Sequence, residues 1–272
     1  MANLILSAIM AATAATTAAA TLDPQPWKRA DAIIIPDPYA QNAFDFDRAF
    51  ADPKIKAVIL KAASGLTVDS AVRQRARAAR EKGIPFGLYL LGVSPPARGK
   101  PGGDALAQAD LLVSLGRELG ATFLALDIED QRPSDMSFDD AARFIARVQQ
   151  QTGRYPALYG NKKVANAIAA HFDAASVFAK TPLWVAGTKP FTGNRIWPSY
   201  AIWQFGAEWD CPDAVKKDAI RRKLSLYRAC APYRQYPVAG SEYDLDINVL
   251  NGGAAELERL FGAPASPPPG RH

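Results

Sequence analysis

Four acidic residues stand where apolar runs stop. Asp127 and Glu129 close the stretch "FLALDIED" (123–130), Asp37 follows "AIIIP", and Asp246 lies in "DLDINVL" (244–250) with Asp244 before it and Asn248 after it. Side chains two apart on a strand share a face, with Cα atoms roughly 6.5–7 Å apart, so Asp127 and Glu129 point the same way. Many Asp-x-Glu pairs are solvated loop or helix acids. This pair follows a strongly apolar segment, where carboxylates without partners are costly and call for a functional or network role. Crowded carboxyls divide into one that keeps its proton and one that ionises, the division that glycoside hydrolysis uses. Hard carboxylates also suit a Mg²⁺ or Ca²⁺ site, the rival chemistry. With two histidines (His171, His272) and two cysteines (Cys211, Cys230), there is no cluster with zinc-ligand spacing, and no metal is expected. Tyr39, Tyr89, Tyr159, Trp184 and Trp203 lie near the same run ends. Each is either a platform for a sugar ring or a core aromatic.

These residues need elements to hold them. Eight short β-like runs recur: 32–35, 57–62, 85–92, 122–129, 156–160, 183–187, 200–206 and 244–250. Most are continuously apolar, the mark of strands covered on both faces. Helical patterns fill 69–83, 104–120, 137–153 and 161–172, the third opening with Ser137 and Asp140 at capping-box spacing. Alternation of this kind implies a parallel sheet. The expected fold is α/β, a single irregular TIM-like β/α barrel of about eight strands with reduced helices in the last third, because 187–200 is too short for a crossover helix. Barrel closure would set Asp37 beside Asp246. A doubly wound open sheet is the alternative, but no Gly-rich phosphate loop follows the first run, and no cofactor is expected.

The 272 residues are 49% hydrophobic and 22% charged, enough for a sizeable core. The net charge of +5 suits a polyanionic partner without choosing one. Positions 2–20 carry no charge and end in Ala18-Ala19-Ala20, either an export signal or a disordered Ala/Thr leader. Residues 263–272 read as a Pro-rich disordered tail.

The ordered motifs resemble glycoside hydrolase family 25, the muramidase or lysozyme family, across roughly residues 31 to 252. "IIIPDPYAQNAFDFDRAF" is similar to its first-strand segment, with Phe44-Asp45-Phe46 as the I-D-W-like element. "AVILKA" resembles its second strand, "ALDIED" its D-x-E, "TPLWVAG" its P-L-W-I-A, "YAIWQFG" its W-Q strand and "DLDINVLNG" its D-x-N-x-F-x-G. The resemblance implies a catalytic barrel over 31–262 that hydrolyses the β-1,4 bond between N-acetylmuramic acid and N-acetylglucosamine in peptidoglycan. It implies Glu129 as general acid, and Asp127 as orienter of the 2-acetamido group or as nucleophile. Asp37 and Asp246 complete the acidic pocket, and Tyr39, Tyr89, Trp203 and Gln204 line the sugar site. Two departures stand out. Asp37-Pro38-Tyr39 replaces the Asp-x-Ser of many members, and Leu90 follows Tyr89 where many carry Tyr-His. A non-catalytic wall-binding barrel and a hydrolase of another N-acetylated glycan, such as chitin, are the alternatives.

Cys211 and Cys230 flank part of the long segment between the last two strands. A disulfide there fits export to the periplasm or exterior, and two unlinked thiols are the alternative. The same segment carries "KKDAIRRK", either a solvated face or a contact for anionic wall polymer. The expected partner is peptidoglycan, with no nucleic acid, no stable membrane association and a monomeric state.

Overall fold

The computed structural model describes residues 23–38, 44–94, 103–129, 134–241 and 245–262. The leader, the tail, Tyr39 and Asp244 lie outside the described residues. Nine strands form one curled sheet: β1 (Ile34–Asp37), β2 (Val58–Ser64), β3 (Thr67–Val68), β4 (Phe86–Leu91), β5 (Phe123–Asp127), β6 (Ala157–Asn161), β7 (Leu183–Ala186), β8 (Ile202–Gly206) and β9 (Asp246–Leu250). Their order is β1-β9-β8-β7-β6-β5-β4-β2-β3. Curling brings β1 to the entry of β2, where the Ile34 N–H donates to Lys54 O (2.8 Å) and the Lys56 N–H to Ile34 O (3.3 Å). The sheet is thus TIM-like, as the alternation of runs indicates.

Each of the eight expected runs contributes a strand. The two-residue β3 is an addition, a hairpin partner of β2. β2 and β4 through β8 run parallel to one another, but β9 is antiparallel to both β1 and β8. An all-parallel barrel is therefore not formed. β7 and β8 stay parallel although only irregular coil joins them, whereas the long connection from β8 to β9, which holds two short helices, returns β9 in the opposite direction.

The four expected helices are α2 (Val72–Glu81), α3 (Ala105–Leu119), α4 (Phe138–Thr152) and α5 (Lys162–His171). They stop where the chain dictates: α3 and α4 end on Gly120 and Gly153, both in the left-handed conformation that glycine accepts without penalty. Half of the expected capping box forms. The Asp140 N–H donates to Ser137 Oγ (3.2 Å), while the Asp140 carboxylate turns to Ser137 Oγ and Arg143. Four shorter α-helices are present among the described residues: α1 (Phe46–Phe50), α6 (Asp213–Arg221), α7 (Leu226–Cys230) and α8 (Ala254–Phe261).

The core divides by strand face. Ile34, Val58, Leu60, Leu88, Leu90 and Leu126 belong to a large cluster with apolar residues of the helices. Their neighbours Ile35, Ile59, Tyr89 and Ala125, with Phe123 and Ile202, form a second cluster inside the curl. Leu260 and Phe261 of α8 complete that inner cluster, Phe261 stacking on Phe123 with ring centroids 4.6 Å apart. Arg154 fastens α8 by donating to the carbonyls of Arg259 (2.6 Å), Leu260 (2.9 Å) and Gly262 (3.0 Å), a cation at a helix C-terminus.

Candidate active site

At the opposite end of the curl from α8, the inward positions turn polar. Leading into and along β1 the inward series runs Ile33, Ile35, Asp37. Leading into and along β2 it runs Ala57, Ile59, Lys61, and on β5 Phe123, Ala125, Asp127. Glu129 follows two residues beyond Asp127. The polar ends of these series, Asp37, Lys61, Asp127 and Glu129, line a cleft of about 330 Å³ together with Tyr89, Tyr159, Asn161, Trp184, Gln204, Glu208, Trp209 and Asp246. Period-two alternation thus converts one strand face from packing to chemistry within two residues.

Asp246 opens β9 instead of closing it. Because β9 runs antiparallel, its first residue sits at the end where the parallel strands finish, directly opposite Asp37 in register. Both of the β-bulges at the cleft follow lining residues, one after Lys61 and one after Gln204, and bulges commonly re-aim side chains beside active sites.

Glu129 is placed by a close backbone approach. The Ile128 N–H donates to Tyr159 O (3.0 Å), drawing the turn against β6. A Cβ on Gly160 would lie 2.8 Å from the Ile128 carbonyl oxygen, so glycine is what lets the turn come that near. Trp184 is fixed as a wall: its Nε1 donates to Asn248 Oδ1 (2.6 Å), and Asn248 Nδ2 donates to the Ile35 carbonyl (2.8 Å). Tyr159 and Tyr89 meet the Trp184 ring edge to face, at 4.5 and 5.9 Å between centroids.

The electrostatics follow from this crowding. Burial, reinforced by the charges of Glu129, Asp37 and Asp135, pushes the Asp127 carboxyl well above the usual carboxylate range, with Lys61 acting the other way. Burial also raises Asp246, with Asp37 and Glu208 the next contributors. The phenols of Tyr89 and Tyr159 are held protonated by burial and by the surrounding acids. Asp127 Oδ1 is buried with no hydrogen-bond partner among the described residues, an acceptor available to a bound ligand. Glu129 is only half-buried, at the cleft mouth. No group of three or more metal-type donors among the described residues is arranged to hold an ion.

The sequence profile described as Glycosyl hydrolases family 25 matches residues 39–214. The chain belongs to this family. The match contains Asp127 and Glu129, whereas Asp37 and Asp246 lie outside it and join the site through the β1–β9 pairing. The enzyme, a glycoside hydrolase, also shares its fold with solved structures. The lysozyme of Streptomyces coelicolor is 21% identical with a TM-score of 0.62, over 86% of this chain and 99% of that one. The muramidase of Acremonium alcalophilum is 21% identical with a TM-score of 0.59, over 85% and 99%. The catalytic domain of an endolysin from a Listeria monocytogenes bacteriophage is 21% identical with a TM-score of 0.56, over 85% and 98%. No curated protein sequence matches the chain.

The cleft gathers the four expected acids with Tyr89, Tyr159, Trp184 and Gln204. Trp203 is a correction. It is adjacent to Gln204 on β8, so the two side chains take opposite faces. Trp203 is buried in the outer cluster against Trp27, and its Nε1 donates to Gly187 O (2.7 Å). Cys211 and Cys230 form the disulfide. Sequence reasoning missed Lys61, Asn161, Glu208 and Trp209. Lys61 had a signal, as the single charge in the strand "AVILKA". The other three follow strands or turns whose direction only the fold defines.

Proposed function

We propose that the enzyme is an exported peptidoglycan hydrolase that cuts the β-1,4 bond between N-acetylmuramic acid and N-acetylglucosamine. The observation that carries this reading is the placement of the carboxyls: Asp127 is deep in the cleft, where burial pushes it well above the usual carboxylate range, and Glu129 lies beside it at the mouth. Glu129 is the carboxyl a glycosidic oxygen can reach, and it donates the proton to the leaving group. A buried carboxyl that resists ionisation is a poor nucleophile. Asp127 therefore serves to hold the 2-acetamido group, whose own oxygen assists at the anomeric carbon. Its open Oδ1 would accept the acetamido N–H. Asp37 and Asp246 keep the cleft acidic, and Trp184 gives the sugar an apolar wall. The names of the fold relatives, a lysozyme, a muramidase and an endolysin, support the wall polymer as substrate.

Mass spectrometry of a peptidoglycan digest tests this. The expected products are muropeptides with N-acetylmuramic acid at the reducing end, and Glu129→Gln is expected to lower their release by about 10³-fold, within the range for loss of a general acid. Reducing-end N-acetylglucosamine, faster cleavage of chitin, or undiminished release by the variant would each overturn the reading.

A further inference from the structure

The disulfide between Cys211 and Cys230 pins a helical excursion that starts next to the cleft residues Glu208 and Trp209. Residues 211–230 contain six Lys or Arg against two Asp, a net charge of +4, whereas the whole chain carries +5. The large hydrophobic side chains exposed among the described residues are Ile220, Leu224, Leu226 and Tyr233, all in or just beyond this excursion. The most exposed are Ile220 at 64% and Leu224 at 49%.

The two features share one surface. Ala219 is the buried residue of α6, so its inner face is fixed. Lys217, Ile220 and Arg221 are exposed and spaced i, i+3 and i+4 on α6, which puts them together on its outward face, and the exposed Leu224 follows just past the helix end. Leu224 is held there by the helix stop. The Leu224 N–H donates to Ala219 O (2.9 Å) and the Lys223 N–H to Ile220 O (3.1 Å), with Lys223 at φ 54° where glycine is usual. Asp213 and Asp218 are engaged by Lys216, Arg221 and Arg222. Lys217, Lys223 and Arg228 carry no ion pair among the described residues.

We infer that this excursion is a docking surface for an anionic lipid bilayer. Charge alone would suit any polyanion. Rigidly presented aliphatic side chains interleaved with cations suit a lipid interface, where the aliphatics enter the acyl boundary and the cations meet the headgroups. No described helix is long and apolar enough to cross a membrane, so the contact is peripheral. It would place the cleft beside a membrane, a revision of the expectation of no stable membrane association.

Co-sedimentation of the full chain with vesicles tests this independently of hydrolysis. Binding to phosphatidylglycerol/phosphatidylcholine vesicles is expected to be at least about tenfold tighter than to phosphatidylcholine alone, and to weaken with salt. The double variants Ile220→Ser/Leu224→Ser and Lys217→Glu/Lys223→Glu should each lower it by roughly tenfold. Hydrolysis of soluble peptidoglycan fragments should be unchanged in both. Absence of binding to the anionic vesicles at low salt overturns the inference. So does binding that falls only with the charge variant, which would mark a polyanion site such as wall polymer. A change from dimer to monomer in the serine variant would assign the patch to a second copy and overturn it as well.

Discussion

The two ends of the curled sheet are built from the same strands and the same inward positions, yet they do opposite work. At one end Phe123, Ile202 and Leu250 meet Leu260 and Phe261 of α8 in an apolar plug. At the other, Asp127, Gln204 and Asp246 face an open cleft. The difference is what covers each end. A helix seals the first and returns the apolar area removed from water; nothing among the described residues seals the second, so polar groups there keep access to water and ligand. Stability is concentrated at the sealed end, and reactivity is obtained at the open end against the cost of buried acids.

Changes that act on one end alone should separate these properties. The largest effect belongs to the plug. Phe261→Ala removes a ring stacked on Phe123 and is expected to cost about 3–5 kcal/mol in chemical denaturation. Activity per folded molecule should stay near that of the parent. A variant equally stable but inactive would break the division between the ends.

Next comes Asp127→Asn, which should lose about 10²-fold in kcat, comparable to loss of a transition-state hydrogen-bonding group. Its stability should move the other way. The folded state holds the Asp127 proton more tightly than the unfolded chain, so ionisation penalises the fold. That penalty is absent below the ordinary carboxylate pKa of about 3.9 and grows as pH rises toward the raised folded value. The asparagine variant should therefore unfold at higher denaturant concentration than the parent at pH 7.5, with the gain disappearing at pH 3.5. The same gain at both pH values would show that burial of charge is not its source.

The smallest of these effects tests placement within the open end. Gly160→Ala sets a methyl against the Ile128 carbonyl and displaces the turn that carries Glu129. A loss of about tenfold in kcat with little change in KM is expected, since small misplacements of a reacting group are costly. Full activity would show that the approach of this turn to β6 does not position the acid.

Much of this architecture was readable in the chain. The runs at 122–129 and 200–206 announce β5 and β8 because continuous apolar stretches bounded by turns have few other uses. Ser137 and Gly153 mark the limits of α4 through capping chemistry that is local. Facing was less legible. A run apolar on both faces does not show which residues look inward, so Trp203 and Gln204 both read as cleft residues although adjacent strand positions cannot share a face. The direction of β9 was also hidden, because an antiparallel strand has the same local pattern as a parallel one.

The sequence by itself determined the elements and the acids: periodicity, caps and the carboxyls at the run ends are written in short stretches of neighbouring residues. Only the tertiary structure decided that β9 would run antiparallel between β1 and β8, that Lys61 and Trp209 would enter the cleft, and that Trp203 would leave it. Those outcomes depend on sheet curvature, strand direction and which end α8 closes. They arise from contacts between residues far apart in the chain, and no local pattern encodes them.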